Sequence, residues 1–171
     1  MNGQSNRYCL DTNVLIEAWN KYYSPHFCSA YWDVLNKLGS QDRIFIPNAV
    51  YNEISRQDDE LSKWLKGSNI PIMNVDAAIT NCVKTIFEYH PSHKYLVDNT
   101  KNRSLADPWV IAHAINENAC VVTKEEKITV ASARENKVKI PNVCDNMGIR
   151  WINDFQLIKE LNINFSCSVQ L

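Results

Sequence analysis

Short apolar runs alternate with longer stretches of helical spacing along this chain, and that alternation limits its fold more than any other feature. The apolar runs are residues 7–10, 44–46, 120–123 and 149–152. Helical spacing marks residues 13–23, 27–38, 49–66, 76–87, 104–118 and 154–161. Strands that alternate with helices predict an α/β fold, a three-layer α/β/α sandwich around a central, mainly parallel sheet.

Glycine and proline mark several boundaries of these elements. Gly39 is predicted to end the second helix, over residues 27–38, and Gly67 to end the long helix over residues 49–66. Pro71 argues against a central strand over residues 70–75, whose conformation the sequence leaves open.

Two polar segments show no clear period. Residues 90–103 are predicted to form a surface excursion, and residues 124–139 a charged, weakly structured segment. His90 and His93 form an H-x-x-H pair in the first segment. Since no other ligands accompany them, a surface loop is favoured over a zinc site.

The bulk composition indicates an ordinary globular protein. The chain has 171 residues, of which 45% are hydrophobic and 22% charged, so residues 1–171 are predicted to form one domain. No apolar stretch is long enough to cross a bilayer, and residues 1–7 lack the apolar segment of a secretory signal. We therefore expect a soluble, cytoplasmic protein without membrane contact. The net charge of -1 neither indicates nor excludes nucleic-acid binding.

Six cysteines occur, and none forms a C-x-x-C pair. A zinc site of that kind is therefore disfavoured. Cys9 and Cys120 lie inside apolar runs, which favours reduced core cysteines over disulfides.

Four acidic residues stand where this topology would bring them to one edge of the sheet. Asp11 and Glu125 each follow an apolar run, Asp107 opens a helix, and Glu53 lies early in another helix. Ligands of open parallel sheets bind beyond the carboxyl ends of the strands. Clustered carboxylates repel one another unless a cation is present, and hard oxygens suit Mg²⁺ or Mn²⁺. Such a cage usually indicates phosphate chemistry.

Each acid also has a plainer structural explanation. Asp11 could only start a turn, with Asn13 as the helix N-cap. Asp107 could be an N-cap, because proline suits the position after it. Glu126 competes with Glu125 for the fourth position. The set of four together favours the metal site.

Lysines and aromatic residues near these acids leave two interpretations open. Lys124 and Lys127 could steer phosphate groups toward the site, or could belong to a solvated loop. The aromatic stretch over the first two helices favours packing over base stacking. Its members are Trp19, Tyr22, Tyr23, Tyr31 and Trp32.

The segments around the four acids resemble those of the PIN-domain ribonucleases, especially the VapC-like toxins of prokaryotic toxin–antitoxin pairs. They also appear in that family's order along the chain. The matching segments are residues 10–15, 50–54, 106–112 and 121–125. Residues 139–144 resemble a longer, less characterised branch of that family. The segment from residue 71 to 103 is longer than the compact family pattern.

The resemblance implies an endoribonuclease that uses Mg²⁺ or Mn²⁺ to cleave RNA. It also implies an antitoxin partner and a possible homodimer. Asp11, Glu53 and Asp107 match the three best-defined acids of the family. Glu125 matches the fourth position, where the family more often has Asp.

Two further positions match the family's supporting residues. Asn13 and Thr123 stand where side chains often orient the site. A second hypothesis remains open beside the nuclease, namely a non-catalytic RNA- or partner-binding module on the same fold. Its motivation is the Glu at position 125 together with the nearly neutral charge.

Overall fold

The protein is described by a computed structural model that covers residues 7–97, 105–129, 137–166 and 168–169. Five parallel strands form one sheet in the order β3-β2-β1-β4-β5. The strands are β1 Tyr8–Leu10, β2 Ile44–Pro47, β3 Ile72–Met73, β4 Cys120–Val122 and β5 Trp151–Ile152. This arrangement confirms the predicted three-layer α/β/α fold with a parallel sheet.

Helices connect the parallel strands, as crossover connections between them require. They are α1 Thr12–Glu17, α2 Ser29–Ser40, α3 Asn48–Ser55, α4 Glu60–Gly67, α5 Ala77–Tyr89, α6 Asp107–Glu117, α7 Ile140–Met147 and α8 Asp154–Glu160. A π-helical turn, Ala18–Tyr22, continues α1, and a 3₁₀ helix, Pro91–Leu96, follows α5. Within the described ranges, none of these helices is long and apolar enough to span a membrane.

The three central strands are buried along their whole length, as expected where helices cover both faces. Cys9 pairs with Phe45 on one side and with Val121 on the other, and all three are fully buried. Leu10 pairs with Val122 at the ends of β1 and β4. The residues that follow these two strands therefore emerge side by side at the carboxyl edge of the sheet.

The cysteines in the described ranges are all free thiols. Cys9, Cys120 and Cys144 are buried in the core. The prediction of reduced cysteines is therefore confirmed for this part of the chain, whereas Cys167 lies outside the described residues.

The predicted single helix over residues 49–66 is wrong, because the chain forms α3 and α4 with a break between them. Asp58 adopts the left-handed conformation, with φ of 44°, which a continuous helix does not allow. Asp59 then caps α4, since its carboxylate accepts a hydrogen bond of 2.9 Å from the Ser62 backbone N–H.

Gly39 does not end α2, which continues to Ser40. The glycine instead permits a close approach of two backbone segments. A Cβ atom at Gly39 would lie 2.7 Å from both the Asn69 carbonyl oxygen and Ile70 Cα. Gly67, in contrast, is the last residue of α4, close to the predicted stop.

Pro71 directly precedes the edge strand β3, which resolves the conformation that the sequence left open. Its carbonyl accepts a hydrogen bond of 3.0 Å from the Ile46 backbone N–H. A proline is compatible with the edge of a sheet because no neighbouring strand there needs a hydrogen bond from its backbone nitrogen.

The predicted surface excursion over residues 90–103 holds only in part for residues 90–97, of which His90, Pro91 and Lys94 are exposed, while residues 98–103 lie outside the described part. His93 and Leu96 are buried. The His93 Nδ1–H donates to the Ile86 carbonyl at 2.7 Å, so Nε2 is free to accept from the Asn146 amide at 3.0 Å. His93 thereby connects the 3₁₀ helix to α5 and α7.

Candidate active site

Asp11 lies directly beyond the end of β1 and is buried. Its backbone N–H donates to the Val122 carbonyl at 2.9 Å, which fixes it beside the end of β4. It occupies the N-cap position of α1, but its side chain makes no capping hydrogen bond. The carboxylate instead accepts a hydrogen bond of 2.9 Å from the Thr123 hydroxyl. The turn interpretation alone therefore does not account for this side chain.

Thr123 connects two of the candidate acids. Its hydroxyl oxygen, which donates to Asp11, also accepts a hydrogen bond of 3.1 Å from the Glu125 backbone N–H. The side chain is fully buried. Thr123 therefore holds the segment after β4 against the end of β1, as an orienting residue would.

Glu53 comes from α3 on the other side of the site. The Thr12 hydroxyl donates to Glu53 Oε2 at 2.7 Å and so ties α3 to the first residue of α1. Asn13 is exposed on α1 and lines the same recess as Thr12 and Glu53. One carboxylate oxygen of Glu53 is thus fixed by protein.

Asp107 is the first residue of α6, and Pro108 follows it. The residue before the helix, Ala106, has helical backbone angles and provides no side-chain cap. Proline fits the first turn because the N–H that it lacks would have no partner in the helix. The helix start therefore presents Asp107 at the carboxyl edge of the sheet.

Glu125 follows β4 and contacts the beginning of α7. The Ile140 backbone N–H donates to Glu125 Oε2 at 2.9 Å. A carboxylate at this position accepts a hydrogen bond from a backbone N–H that has no partner within the helix. Its negative charge also interacts favourably with the positive end of the helix dipole. Glu125 thus has a structural role, which leaves its second oxygen for any further ligand.

The four acids are close enough to influence one another electrostatically. Burial, followed by the Glu125 charge, raises the pKa of Asp11 to about 7, although its hydrogen bond from Thr123 opposes the rise. Burial, followed by the charges of Asp11, Glu125 and Glu53, raises the pKa of Asp107 to about 9, and Lys139 opposes that rise. Asp11 and Asp107 therefore lie near each other and within electrostatic range of Glu53 and Glu125, whose charges favour the protonated form of both aspartates.

The donor set consists of hard carboxylate oxygens, which suit a divalent cation such as Mg²⁺ or Mn²⁺. As the side chains stand, no three carboxylate, imidazole or thiol groups among the described residues are close enough together to hold a metal ion. Mg²⁺ commonly takes only one or two carboxylates directly and keeps several waters. The arrangement is thus compatible with a partly hydrated ion.

Lys124 is engaged in an ion pair beside the site. Its ammonium group lies 3.0 and 3.1 Å from the two carboxylate oxygens of Asp154, which is buried. It also lies 4.0 Å from the ring centroid of Tyr22 and 4.6 Å from that of Phe155. Lys127 pairs with Asp145. Phosphate steering by Lys124 and Lys127 stays a prediction, and it would have to compete with these pairs.

Two recesses each contain one of the four acids in their lining. The first, which we call the Glu53 recess, has a volume of about 790 Å³ and is lined by Thr12, Asn13, Ile16, Asn20, Glu53, Arg56, Gln57 and Leu105. The second, the Glu125 recess, has a volume of about 470 Å³ and is lined by Glu17, Tyr22, Lys124, Glu125, Glu126, Lys127, Trp151, Asn153, Asp154, Phe155 and Gln156. A third recess of about 400 Å³, near the start of β4, contains none of the four acids.

Arg56 and Phe155 are not among the site residues predicted from the sequence. Arg56 directly follows α3 and lines the Glu53 recess. It is exposed and makes no ion pair with another residue in the described part of the chain. Its position three residues after Glu53 was the signal available in the sequence. Phe155 gave no such signal, because it is far from every acid along the chain.

Most of the aromatic stretch packs internally, as favoured from the sequence. Tyr31 and Trp32 are buried, and the Trp19 and Trp32 rings meet edge to face at 4.6 Å. Tyr22 differs, because 44% of its surface is exposed at the end of the π-helical turn.

The fold is a three-layer α/β/α domain with acidic side chains at the carboxyl edge of its parallel sheet. The chain belongs to a family described as a domain of unknown function (DUF4411), which matches residues 8–165. Its structure is similar to that of VapBC2 from Rickettsia felis bound to a DNA fragment from their promoter. The match has a TM-score of 0.55 and 19% sequence identity over 85% of this chain and 97% of that chain.

A stretch of 115 residues is also similar in sequence to the heat-inducible transcription repressor HrcA of Fusobacterium nucleatum, with 25% identity. The match covers 62% of this chain but only 33% of the repressor. The chain thus spans about a third of that protein's length.

Proposed function

We propose that this protein is a metal-dependent endoribonuclease, the toxin of a toxin–antitoxin pair, and that residues 1–171 form its single nuclease domain. The observation that carries the proposal is that Asp11 and Asp107, at the carboxyl edge of a PIN-like sheet, lie close enough to Glu53 and Glu125 for those charges to raise their pKa values. Carboxylates that are buried together are costly unless a cation compensates their charge. Carboxyl groups with strongly raised pKa values are typical of functional sites.

Asp11 and Asp107 are the proposed direct ligands, because both are largely withdrawn from solvent and have the raised pKa values. Glu53 and Glu125 each have one oxygen held by protein, from Thr12 and from the Ile140 backbone respectively. We assign these two to the outer shell of a hydrated Mg²⁺ or Mn²⁺ ion. A bound divalent cation would supply the positive charge that stabilises a phosphodiester during in-line displacement.

The chain's own residues would bind and orient the RNA backbone. Arg56 stands in the Glu53 recess, where its guanidinium could contact a phosphate through two parallel hydrogen bonds. Lys139 lies close enough to Asp107 for its charge to lower that pKa. Thr123 and Thr12 hold Asp11 and Glu53 in place by hydrogen bonds, so that the acids need little rearrangement.

The proposed antitoxin partner rests on the fold similarity to VapBC2 and on the sequence resemblance to VapC-like toxins. An antitoxin encoded next to this chain would be expected to co-purify with it and to suppress its activity. A homodimer and a cytoplasmic location belong to the same proposal. Size-exclusion chromatography with light scattering, on the chain alone and with the partner, would test the assembly.

The decisive experiment for the function is cleavage of total RNA by metal-stripped protein, before and after Mg²⁺ or Mn²⁺ is restored. We expect discrete fragments that need the metal and disappear in a folded Asp107→Asn variant. A Glu88→Gln variant is the matched control, because Glu88 is exposed on α5. Undiminished cleavage by folded Asp107→Asn protein would refute the site. A folded wild-type protein that cleaves no RNA under any of these conditions would favour the binding-module hypothesis.

A further inference from the structure

Two aromatic rings are exposed side by side in the Glu125 recess. Tyr22 is 44% exposed and Phe155 is 52% exposed, and their centroids are 6.0 Å apart in an edge-to-face arrangement. Both rings line the same recess as Glu125. The recess therefore offers apolar ring surface to a ligand that contacts Glu125.

The two rings are held in place from beneath. The Lys124 ammonium group lies against both of them and is itself fixed by the buried Asp154 carboxylate. Phe155 is in the first turn of α8, whose start is closed by a capping box between Asn153 and Gln156. A preorganised surface of this kind loses little conformational entropy when it binds a ligand.

The charge of the recess favours a neutral group over a phosphate. Both lysines that line it are paired, Lys124 with Asp154 and Lys127 with Asp145. The carboxylates of Glu17, Glu125 and Glu126 also line it. A phosphate would be repelled by this excess of negative charge, whereas an uncharged nucleobase would not.

The recess also contains amide groups that could recognise a base edge. The side-chain oxygens of Asn153 and Gln156 accept the two hydrogen bonds of the capping box, at 2.8 and 2.9 Å. Their amide nitrogens keep hydrogen-bond donors for a ligand. Bases of single-stranded RNA are typically bound by such a combination of aromatic stacking and hydrogen bonds to their edges.

We propose that Tyr22 and Phe155 form a stacking subsite for one base of a single-stranded RNA substrate, beside the phosphate that is cleaved. The inference deepens the endoribonuclease function proposed above and rests on it. The strand would run from Arg56 in the Glu53 recess, across the acids, to Phe155 in the Glu125 recess. The two recesses thereby divide the task, since one receives backbone phosphate and the other receives a base.

The test measures binding separately from cleavage. Fluorescently labelled homopolymers of A, C, G and U are titrated into Asp107→Asn protein, which we expect not to cleave them, and binding is followed by anisotropy. The variants Phe155→Ala and Tyr22→Ala are added in this background, with Phe155→Trp to restore a stacking ring. Phe27→Ala is the control, because Phe27 is 70% exposed and lies outside the residues that line the recess.

We expect Phe155→Ala to weaken binding of at least one homopolymer by roughly 5- to 100-fold, the effect of one lost base–aromatic stack. Phe155→Trp should recover most of that loss, and Phe27→Ala should bind like the parent. The Asp107→Asn parent should bind abasic strands more weakly than intact strands. With Phe155→Ala added, the affinities for the two kinds of strand should differ much less. Circular dichroism checks that each variant is folded. The comparison of abasic with intact strands on the Asp107→Asn parent does not depend on whether the recess variants fold.

Other outcomes separate this inference from the function on which it rests. If wild-type protein cleaves RNA in a metal-dependent way while folded Phe155→Ala and Tyr22→Ala proteins bind and cleave like Phe27→Ala, the stacking subsite is wrong and the nuclease stands. Equal binding of intact and abasic strands by the parent would also overturn the subsite. If wild-type protein neither binds nor cleaves any strand, the proposed function fails, and the subsite fails with it.

Discussion

The Thr123 hydroxyl donates a hydrogen bond of 2.9 Å to the buried Asp11 carboxylate and accepts one from the Glu125 backbone N–H. Thr123 and Asp11 are 112 positions apart along the chain, and they meet only because β1 and β4 are parallel neighbours. One fully buried hydroxyl thus positions two of the four candidate acids.

Thr123→Val keeps the shape of this side chain but removes both hydrogen bonds. We expect the free energy of unfolding to fall by about 1–3 kcal/mol, because buried polar groups of Asp11 and Glu125 lose their partner. Urea denaturation of the metal-free protein measures the change. Thr80→Val is the matched control, since the Thr80 hydroxyl makes an exposed hydrogen bond to the Asp76 carbonyl just before α5, and its effect should stay within about 0.5 kcal/mol. Equal stability of the two variants would show that Thr123 is not a structural support of the site.

The raised pKa values of Asp11 and Asp107 predict that metal-free protein loses stability as the pH rises. Both carboxyls bind their protons more tightly in the folded than in the unfolded chain. The folded state therefore holds more protons in this range, and stability falls from about pH 4 through the folded pKa values of about 7 and about 9.

Asp107→Asn removes one of these groups, so it should flatten this dependence. Its unfolding free energy should exceed that of wild-type protein increasingly as the pH rises, in buffer that contains a chelator. Urea denaturation across this range provides the measurement. Parallel pH profiles for the two proteins would contradict the electrostatic interpretation of the site.

The Lys124–Asp154 pair is expected to be structural rather than available to substrate. Asp154→Ala should destabilise the protein by about 3–5 kcal/mol, because it leaves a largely buried ammonium group without its partner. Replacing both residues, as in Lys124→Met with Asp154→Leu, should recover much of the loss. The double-mutant cycle is measured by urea denaturation. The exposed Lys84–Glu88 pair is the control, and its coupling should be no more than about 0.5 kcal/mol. A similarly small coupling for Lys124 and Asp154 would leave Lys124 free for phosphate steering.

Gly39 and Gly67 provide a matched pair of substitutions in helices. Gly39→Ala should destabilise the protein by about 1–3 kcal/mol, because the new Cβ would meet the backbone of Asn69 and Ile70. Gly67→Ala should be neutral or stabilising by up to about 1 kcal/mol, since nothing lies within 4 Å of its Cβ position. Thermal unfolding of the two variants gives the comparison. Equal effects would mean that the close approach at Gly39 relaxes without cost.

Much of the architecture could be read from periodicity, because short buried strands and amphipathic helices leave different patterns. The break between α3 and α4 was missed, although Asp59, three residues before Ser62, is a recognisable N-cap. The helix α7 was also missed, although Pro141 in its first turn and Gly148 after its end, with φ of 67°, are boundary signals. In both cases local capping chemistry outweighed the broader pattern.

The candidate site could be anticipated further than its surroundings. Asp11 and Glu125 follow neighbouring parallel strands, so topology alone predicts their proximity. The burial of His93 could not be predicted in this way, because it depends on Asn146 in α7. The pairing of Lys124 with Asp154 likewise needs β5 and α8 in place. Contacts that depend on the packing of distant elements are not encoded in any local pattern.

Calorimetric titration of Mn²⁺ into metal-stripped protein tests whether the four carboxylates form one cation site. We predict saturable binding to the wild-type protein, strongly weakened in folded Asp11→Asn and Asp107→Asn variants and unchanged in Glu88→Gln. Glu53→Gln and Glu125→Gln should weaken binding less, as outer-shell residues would. Equal Mn²⁺ binding by Asp107→Asn and wild-type protein, or no saturable binding by folded wild-type protein, would contradict the account.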